Sequence, residues 1–420
     1  MSNAPRSAMT TVLTLMVALT IAACAEGPGD SWQGTVTDSA GIEVVSNTGR
    51  GTWGADAAWT VETDMVIGTA DGEPEYQFGQ ISGMDVDSRG RIYVMDQQAR
   101  EVRIFGPDGQ FVDRIGKAGS GPGEFSQAAG PLFVGPDDVV AVPDAGLQRV
   151  NRFSAAGDPI GSYPLPMTDG IPVRWVEASD QSLVQQAMIM QFPGQEEVEP
   201  KNLILRRAPS GEVADTLMTL PIGGTVRFAG NQPSITLFES EPVWALGQHD
   251  RLYFGNNSEY RIEVFETDGQ LERVIQRPFE RRPVTEGDQN RLRSIIQELW
   301  ERQGVPPQAM TQMSQVLRFA DFYPAYANMM GGPDGTLWVQ GIQTPETVEE
   351  QGGSFNIQDI GSADWEVYDD QGRLLGVVRM PPRFTPFFFH EDRIYGLLMD
   401  DLDVQYAARL TVVRGTERAD

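Results

Sequence analysis

The sequence predicts an all-β chain closed into a single six-bladed β-propeller, and three observations predict it. A four-part frame recurs along the chain, as in folds built from repeated blades. Turn residues are abundant, 45 Gly and 28 Pro in 420 residues, which suits many short strands and not a helical bundle. The last repeat lacks one strand that an N-terminal segment can supply, so the chain ends can close on each other and leave no open sheet edge.

Each repeat reads as a turn, an apolar strand, a polar loop, a second strand ending in an aromatic residue, and a Gly four positions later. Asp96, Phe105 and Gly109 stand nine and four residues apart; Asp144, Phe153 and Gly157 keep these intervals, as do Asn256, Phe265 and Gly269. Tyr368 with Gly372 repeats the second half, and Arg207 with Gly211 repeats it in degenerate form. Each Gly closes a hairpin that requires positive φ between antiparallel strands. Counting units places blades from about Ile81, Pro131, Val173, Val243 and Tyr326, and a sixth over 384–414 with room for three strands. Segment 59–67 is expected to complete that sixth blade.

Connections between blades, and loops between the second and third strands of a blade, leave a propeller on one face. The long segments 191–200, 221–242, 281–322 and 341–363 all belong to that face, which by analogy is where such folds carry binding sites. Within them, 284–320 is predicted to be a helical hairpin inserted between blades 4 and 5. Thr285 and Asp288 form a capping box, and Leu292, Ile295, Ile296, Leu299 and Trp300 recur at helical spacing. Gly304-Val305-Pro306-Pro307 ends the first helix, and a second starts near Gln308 with Met310, Met313, Val316 and Leu317 along one side. This hairpin has two readings: a lid or partner-docking element over the channel mouth, or a stripe packed on the propeller wall.

Residues 1–23 hold one charged side chain, Arg6, then an apolar run over 12–21 and two alanines before Cys24. That pattern is a secretory signal, too short and too polar at its end for a spanning helix. Segment 24–40 is rich in Gly, Pro, Asp, Ser and Thr and is expected to be a flexible tether, leaving 41–420 for the propeller. Cys24 is the only cysteine, so no intramolecular disulfide can support the fold. The net charge of −27 argues against nucleic acid and anionic membrane surfaces as direct partners, and it suits solubility.

On the insertion-bearing face, Asp96, Arg100, Asp144, Arg149, Asn256, Asn257, Arg261 and Asp400 are the candidate binding groups. Their competing role is to brace neighbouring loops through ion pairs and turn hydrogen bonds. Asp85 and Asp87 alternate on the first strand of blade 1 and could face the channel as cation ligands. The only histidines, His249 and His390, fall in turns on the opposite face. A Ser-His-Asp triad or His-ligated zinc in the channel mouth is therefore not expected. The Gly-rich stretch 119–123 lacks the Lys and following helix of a phosphate loop.

Gly90-Arg91-Ile92-Tyr93-Val94-Met95-Asp96, Val102-Arg103-Ile104-Phe105, Pro107-Asp108-Gly109 and Gly119-Ser120-Gly121-Pro122-Gly123-Glu124-Phe125 resemble the NHL repeat. Ile21-Ala22-Ala23-Cys24 resembles the bacterial lipobox, and the chain as a whole looks like the six-bladed NHL-like lipoproteins of bacteria. The lipobox resemblance implies cleavage before Cys24 and lipidation of its thiol, which would also remove it as a nucleophile. Ala25 stands where an Asp would resemble the inner-membrane retention signal, so in a cell with two membranes the outer one is expected. The histidine positions count against the NHL-related amidating and streptogramin-type lyases. Similarity to gluconolactonase-like propellers leaves Ca²⁺ as the one cofactor to consider. Together these features imply an envelope-anchored module that binds a protein, peptide or glycan and touches the membrane only through its lipid. The alternative is a Ca²⁺-dependent hydrolase or lyase with its site at the channel mouth.

Overall fold

A computed structural model describes residues 32–415 apart from 55, 129, 191–198, 222–225, 230–231, 351–354 and 356–358. The signal segment, Cys24 and most of the insertion at 191–200 lie outside the described residues. Six blades surround a central channel. Blade 1 comprises Ile81–Val86, Ile92–Asp96, Glu101–Phe105 and Phe111–Ile115. Blade 2 comprises Phe133–Val134, Val140–Asp144, Arg149–Phe153 and Pro159–Pro164. Blade 3 comprises Ile171–Glu177, Leu183–Ile189, Lys201–Arg207 and Val213–Leu220. Blade 4 comprises Pro242–Leu246, Leu252–Asn256, Arg261–Phe265 and Leu271–Gln276. Blade 5 comprises Asn328–Gly331, Leu337–Ile342, Gly361–Tyr368 and Leu374–Arg379. Blade 6 takes Phe384–His390, Arg393–Met399 and Gln405–Val413 from the C-terminus and Thr60–Ile67 from the N-terminus as its fourth strand. Val413 pairs with Thr60 and Ala407 with Ile67, so the expected closure of the ring is present.

The repeat frame has a local cause. Gly109 adopts φ 79° and donates its N–H to the Gly106 carbonyl, while the ladder shifts by one residue at Phe105. A turn followed by a left-handed Gly and a bulge is a standard hairpin closure, and it sets the four-residue interval. The same shift recurs at Phe153, Arg207, Phe265 and Tyr368. Phe105, Phe153 and Tyr368 are fully buried. In blade 3 the aromatic is replaced by Arg207, also fully buried, whose guanidinium donates to Gln185 Oε1 at 2.6 Å, Asp169 Oδ2 at 3.0 Å and the Gly211 carbonyl. These partners satisfy Nε and Nη1 and offset much of the cost of burying the cation, while Nη2 is buried without a partner.

The tether boundary needs correction. Gly34–Ser39 and Ile42–Asn47 form a hairpin, and its second strand pairs in parallel with Leu271–Gln276, widening blade 4 to six strands. Buried Asn47 fastens it: its Oδ1 accepts from Trp32 Nε1 at 2.7 Å and Leu374 N at 2.8 Å, and its Nδ2 donates to the Gly372 carbonyl. The chain then passes blade 5, where Trp53 N donates to the Leu375 carbonyl and the Trp53 ring stacks on Trp59, before entering blade 6. Residues 32–67 are therefore a strap along the outside of blades 4 to 6.

The helical insertion contains α1 (Glu286–Arg302), started by the expected Thr285–Asp288 capping box, and α2 (Pro307–Val316). Its apolar face packs on the other insertions and on blade 5 residues Ala327 and Ile342. Leu292, Ile296 and Trp300 of α1 join Leu237, Phe238, Leu317, Tyr323, Val348 and Phe355 in a core of their own. Gln232–Leu237, from the connection between blades 3 and 4, pairs in parallel with Leu317–Phe319. A third helix, α3 (Pro345–Glu350), from the blade 5 insertion, meets α1 through ion pairs of Arg291 with Glu346 and Glu349. Three insertions thus knit into one cap. No helix among the described residues is long and apolar enough to cross a membrane.

Candidate functional site in the central channel

The residues singled out on the insertion-bearing face do not converge on a common cavity. Asp96 is buried, and its carboxylate accepts N–H groups from Gly79, Gln80, Gln98 and Ala99 while pairing with Arg103 at 3.1 Å. Asp144 repeats the arrangement with Ser126 N at 2.7 Å and with Gln127 N and Leu147 N at 3.1 Å. Arg149 donates to the Gly121 and Glu124 carbonyls. In blade 4 two residues share this bracing: Asn256 accepts from Ser258 N, and buried Asn257 accepts from Glu241 N and donates to the Tyr326 carbonyl. Arg261 pairs with Glu263 at 3.1 Å, and Asp400 accepts from Leu402 N, Val404 N and the Tyr406 hydroxyl. Against desolvation, which raises it, hydrogen bonds from the backbone of Val404 and Leu402 and from the Tyr406 hydroxyl hold the Asp400 carboxyl below its ordinary pKa. Arg100 is exposed, in a left-handed turn at φ 58°. In blades 1 and 2 the Asp at the end of the second strand therefore ties the loop after it to the chain entering the same blade.

The metal candidates separate as well. Asp87 lies in the turn after its strand, where it accepts from Arg89 N, Arg91 N, Arg91 Nε at 2.5 Å and the Tyr93 hydroxyl. Asp85 accepts from Val86 N on one oxygen and Val134 N, at 2.6 Å, on the other. A cation would have to displace an arginine from the first and backbone donors from the second, so this pair does not fit Ca²⁺. Among the described residues no group of three or more His, Cys, Asp and Glu is placed to hold a metal ion.

A cavity of about 650 Å³ lies instead in the channel, opening on the face opposite the cap. The first strands of blades 3 to 6 end there, and they contribute Arg174 and Glu177, Ala245 and Leu246, Met330 and Gly331, and Phe387 to Phe389. Its volume is in the range of small-molecule sites, roughly 300–1,000 Å³. A bulge in the first strand of blade 6 leaves Phe387 without a partner on the next strand, so three successive phenylalanines reach the cavity wall. The outer rim carries Asp334, Glu391 and Asp392, and Arg414 pairs with Asp334 at 2.6 Å and with Asp392. On this same face His249 sits in a turn and His390 ends the strand Phe384–His390, beside lining residues Gln248 and Glu391. Their position on the far side from the insertions therefore does not remove them from the neighbourhood of a site, although neither lines this cavity.

Deeper in, the charged groups are strongly desolvated. Arg174 lies mid-strand with its head enclosed by protein while the side chain keeps partial access to the cavity; burial lowers its pKa to about 10, so it remains cationic at neutral pH. Glu177 is raised to about 7 by burial. Asp85 is also raised to about 7, mainly by burial, against the hydrogen bonds from Val134 and Val86 and with a further push from the charge of Glu177. Sequence reasoning singled out Asp85, as a cation ligand, but missed Arg174 and Glu177. The available signal was two charged residues, Arg174 and Glu177, in a strand predicted to lie innermost in blade 3.

A family model described as a 6-bladed beta-propeller matches residues 72–183. Among solved structures, a protein from Bacteroides fragilis described as exported is similar at 12% identity and a TM-score of 0.47, over 89% of this chain and 100% of that chain. Virginiamycin B lyase from Staphylococcus aureus is similar at 13% identity and a TM-score of 0.41, over 85% and 100%. A gluconolactonase from Xanthomonas campestris is similar at 12% identity and a TM-score of 0.41, over 84% and 99%. No curated protein matches.

Proposed function

We propose that this protein is an exported lipoprotein of the cell envelope that presents an NHL-like propeller as a binding module, with its ligand in the channel cavity. The observation that carries the binding reading is the cavity itself: ligand-sized, open to solvent, and lined by one buried cation and a wall of phenylalanines. Strand-end carboxylates and asparagines on the cap face are engaged in bracing, which leaves the opposite face as the functional one. The anchor rests on the sequence around Cys24 and its outer-membrane destination on Ala25. A protein, peptide or glycan segment remains the partner class.

Two measurements test this. Mass spectrometry of the N-terminal peptide of membrane-extracted protein is expected to find Cys24 as the first residue, carrying lipid; an unmodified cysteine refutes the anchor. Titration of full-length protein in mild detergent with peptides, glycans and small organic acids, followed by tryptophan fluorescence, is expected to give saturable binding at one competitive site. Absence of saturable binding across the panel refutes the module. A hydrolase or lyase is the second reading, favoured by Glu177 and Asp85, two carboxyl groups poised to exchange protons near neutral pH. It requires that Glu177→Gln abolish turnover of whatever the cavity binds.

A further inference from the structure

We infer that the channel cavity recognises a single carboxylate attached to an aromatic body, with the carboxylate on Arg174 and the ring against Phe387 to Phe389. This deepens the binding reading and rests on it.

The key observation is the geometry of Arg174. Its Nη1 donates to the Trp244 carbonyl at 2.6 Å and lies 3.4 Å from Asn328 Oδ1, and its Nη2 lies 3.5 Å from the Met329 carbonyl. The guanidinium also stands 5.0 Å from the centre of the Trp244 ring. Among the described residues nothing accepts from Nε or from the second Nη2 proton, and no carboxylate pairs with this cation. Nε and one Nη2 proton are thus left to a ligand, and Nε with Nη2 forms the side edge of the guanidinium, the edge that takes both oxygens of one carboxylate in parallel. Carbonyls and a ring hold the head in place without neutralising it. A desolvated cation in that state gains most from an anion.

Three further features narrow the ligand. Met330 and the phenylalanine wall ask for an apolar, preferably aromatic, body next to the charged head. Glu177 also lines the cavity, and burial raises its carboxyl above the ordinary range, so at neutral pH it opposes an anion less than an ordinary carboxylate would. Asp334, Asp392 and Glu391 at the rim oppose phosphates and other multiply charged anions, since Arg414 offsets only part of that charge. A chain with net charge −27 adds to this discrimination. The same chemistry is presented by a free arylalkanoic acid and by a peptide ending in an aromatic residue.

The test uses full-length protein in mild detergent and calorimetric titration with four probes: 3-phenylpropionate, its primary amide, the tripeptide Gly-Gly-Phe and its C-terminal amide. Both acids are expected to bind on the order of 10- to 100-fold more tightly than their amides, the range for a hydrogen bond to a charged group. Whichever acid binds more tightly identifies the source, a free acid or a peptide terminus. Arg174→Gln is expected to erase the acid–amide difference and Arg174→Lys to restore part of it. The acid–amide comparison needs no variant, so it stands even if a substitution unfolds the protein. Equal binding of acid and amide overturns the inference and leaves the binding-module reading intact, as does binding of acids that Arg174→Gln does not weaken. No binding of any of the four probes also overturns it, while saturable binding of other peptides or glycans would keep the module.

Discussion

Replacing Asp96 with alanine should destabilise the propeller without touching its ligand site. The carboxylate is 1% exposed and holds four backbone N–H groups, from Gly79 at 3.0 Å, Gln80 at 3.2 Å, and Gln98 and Ala99 at 3.1 Å. Arg103 adds an ion pair at 3.1 Å and retains Glu101 and the Gln77 carbonyl when Asp96 is gone. Each buried donor left unsatisfied costs about 1–3 kcal/mol, partly relieved by water at the loop ends. Breaking a buried charged pair costs about 3–5 kcal/mol. We therefore expect Asp96→Ala to lose about 3–5 kcal/mol, and Asp96→Asn about 1–2 kcal/mol, because an amide oxygen can still serve Gln80, Gln98 and Ala99. Asn256 supplies a precedent for an amide at the equivalent position of blade 4. Equilibrium urea denaturation reads both. Alanine within about 1 kcal/mol of the parent refutes the brace, and so does an unchanged stability combined with lost ligand binding.

Other consequences are open to measurement. Asn47→Ala removes contacts to Trp32, Gly372 and Leu374 and should cost about 1–3 kcal/mol, with protease cleavage before residue 60 as the first sign; cleavage unchanged from the parent contradicts the strap. Deleting 60–67 should open blade 6 and expose the edge of Gln405–Val413, giving aggregation on size-exclusion chromatography where the parent is monodisperse. Leu292→Ala should cost about 2–5 kcal/mol within the cap, and hydrogen exchange should show faster exchange there with the blades unchanged. Raised carboxyl pKa values make stability fall as pH rises: Glu177 and Asp85 keep protons in the fold up to about pH 7 that the unfolded chain has released by about pH 5. The titratable groups that feel the charge of Glu177 are Asp85 and Tyr163. Glu177→Gln should match the parent near pH 4 and exceed it at pH 8; an equal slope for both excludes Glu177 as a source of the fall.

The fold was legible because the intervals between Asp96, Phe105 and Gly109 and their counterparts record a physical unit, a strand end plus a bulged hairpin of fixed length. Closure by Thr60–Ile67 followed from counting strands. The Gly34–Asn47 hairpin was not legible: it lies outside the repeat frame, and its Thr, Ser and Asp residues match those of a tether. The cap was only half legible, since a capping box and an apolar stripe define a helix but not the non-local partners, here Leu237 and Val348, that the stripe buries against. For the site, loop position directed attention to Asp96 and Asp144. Recurrence there reflects bracing, which blades 1, 2 and 4 share. A binding group is needed once, and Arg174 sits in blade 3, where the repeat is most degenerate.

The most direct test of a ligand site in the channel is a crystal structure of the protein soaked with 3-phenylpropionate. The account predicts the carboxylate within hydrogen-bond distance of Arg174 Nε and Nη2, with the ring against Phe387 to Phe389. Density for the acid on the cap face beside Asp96 and Asp144, or an empty channel in crystals whose protein binds the acid in solution, would contradict it.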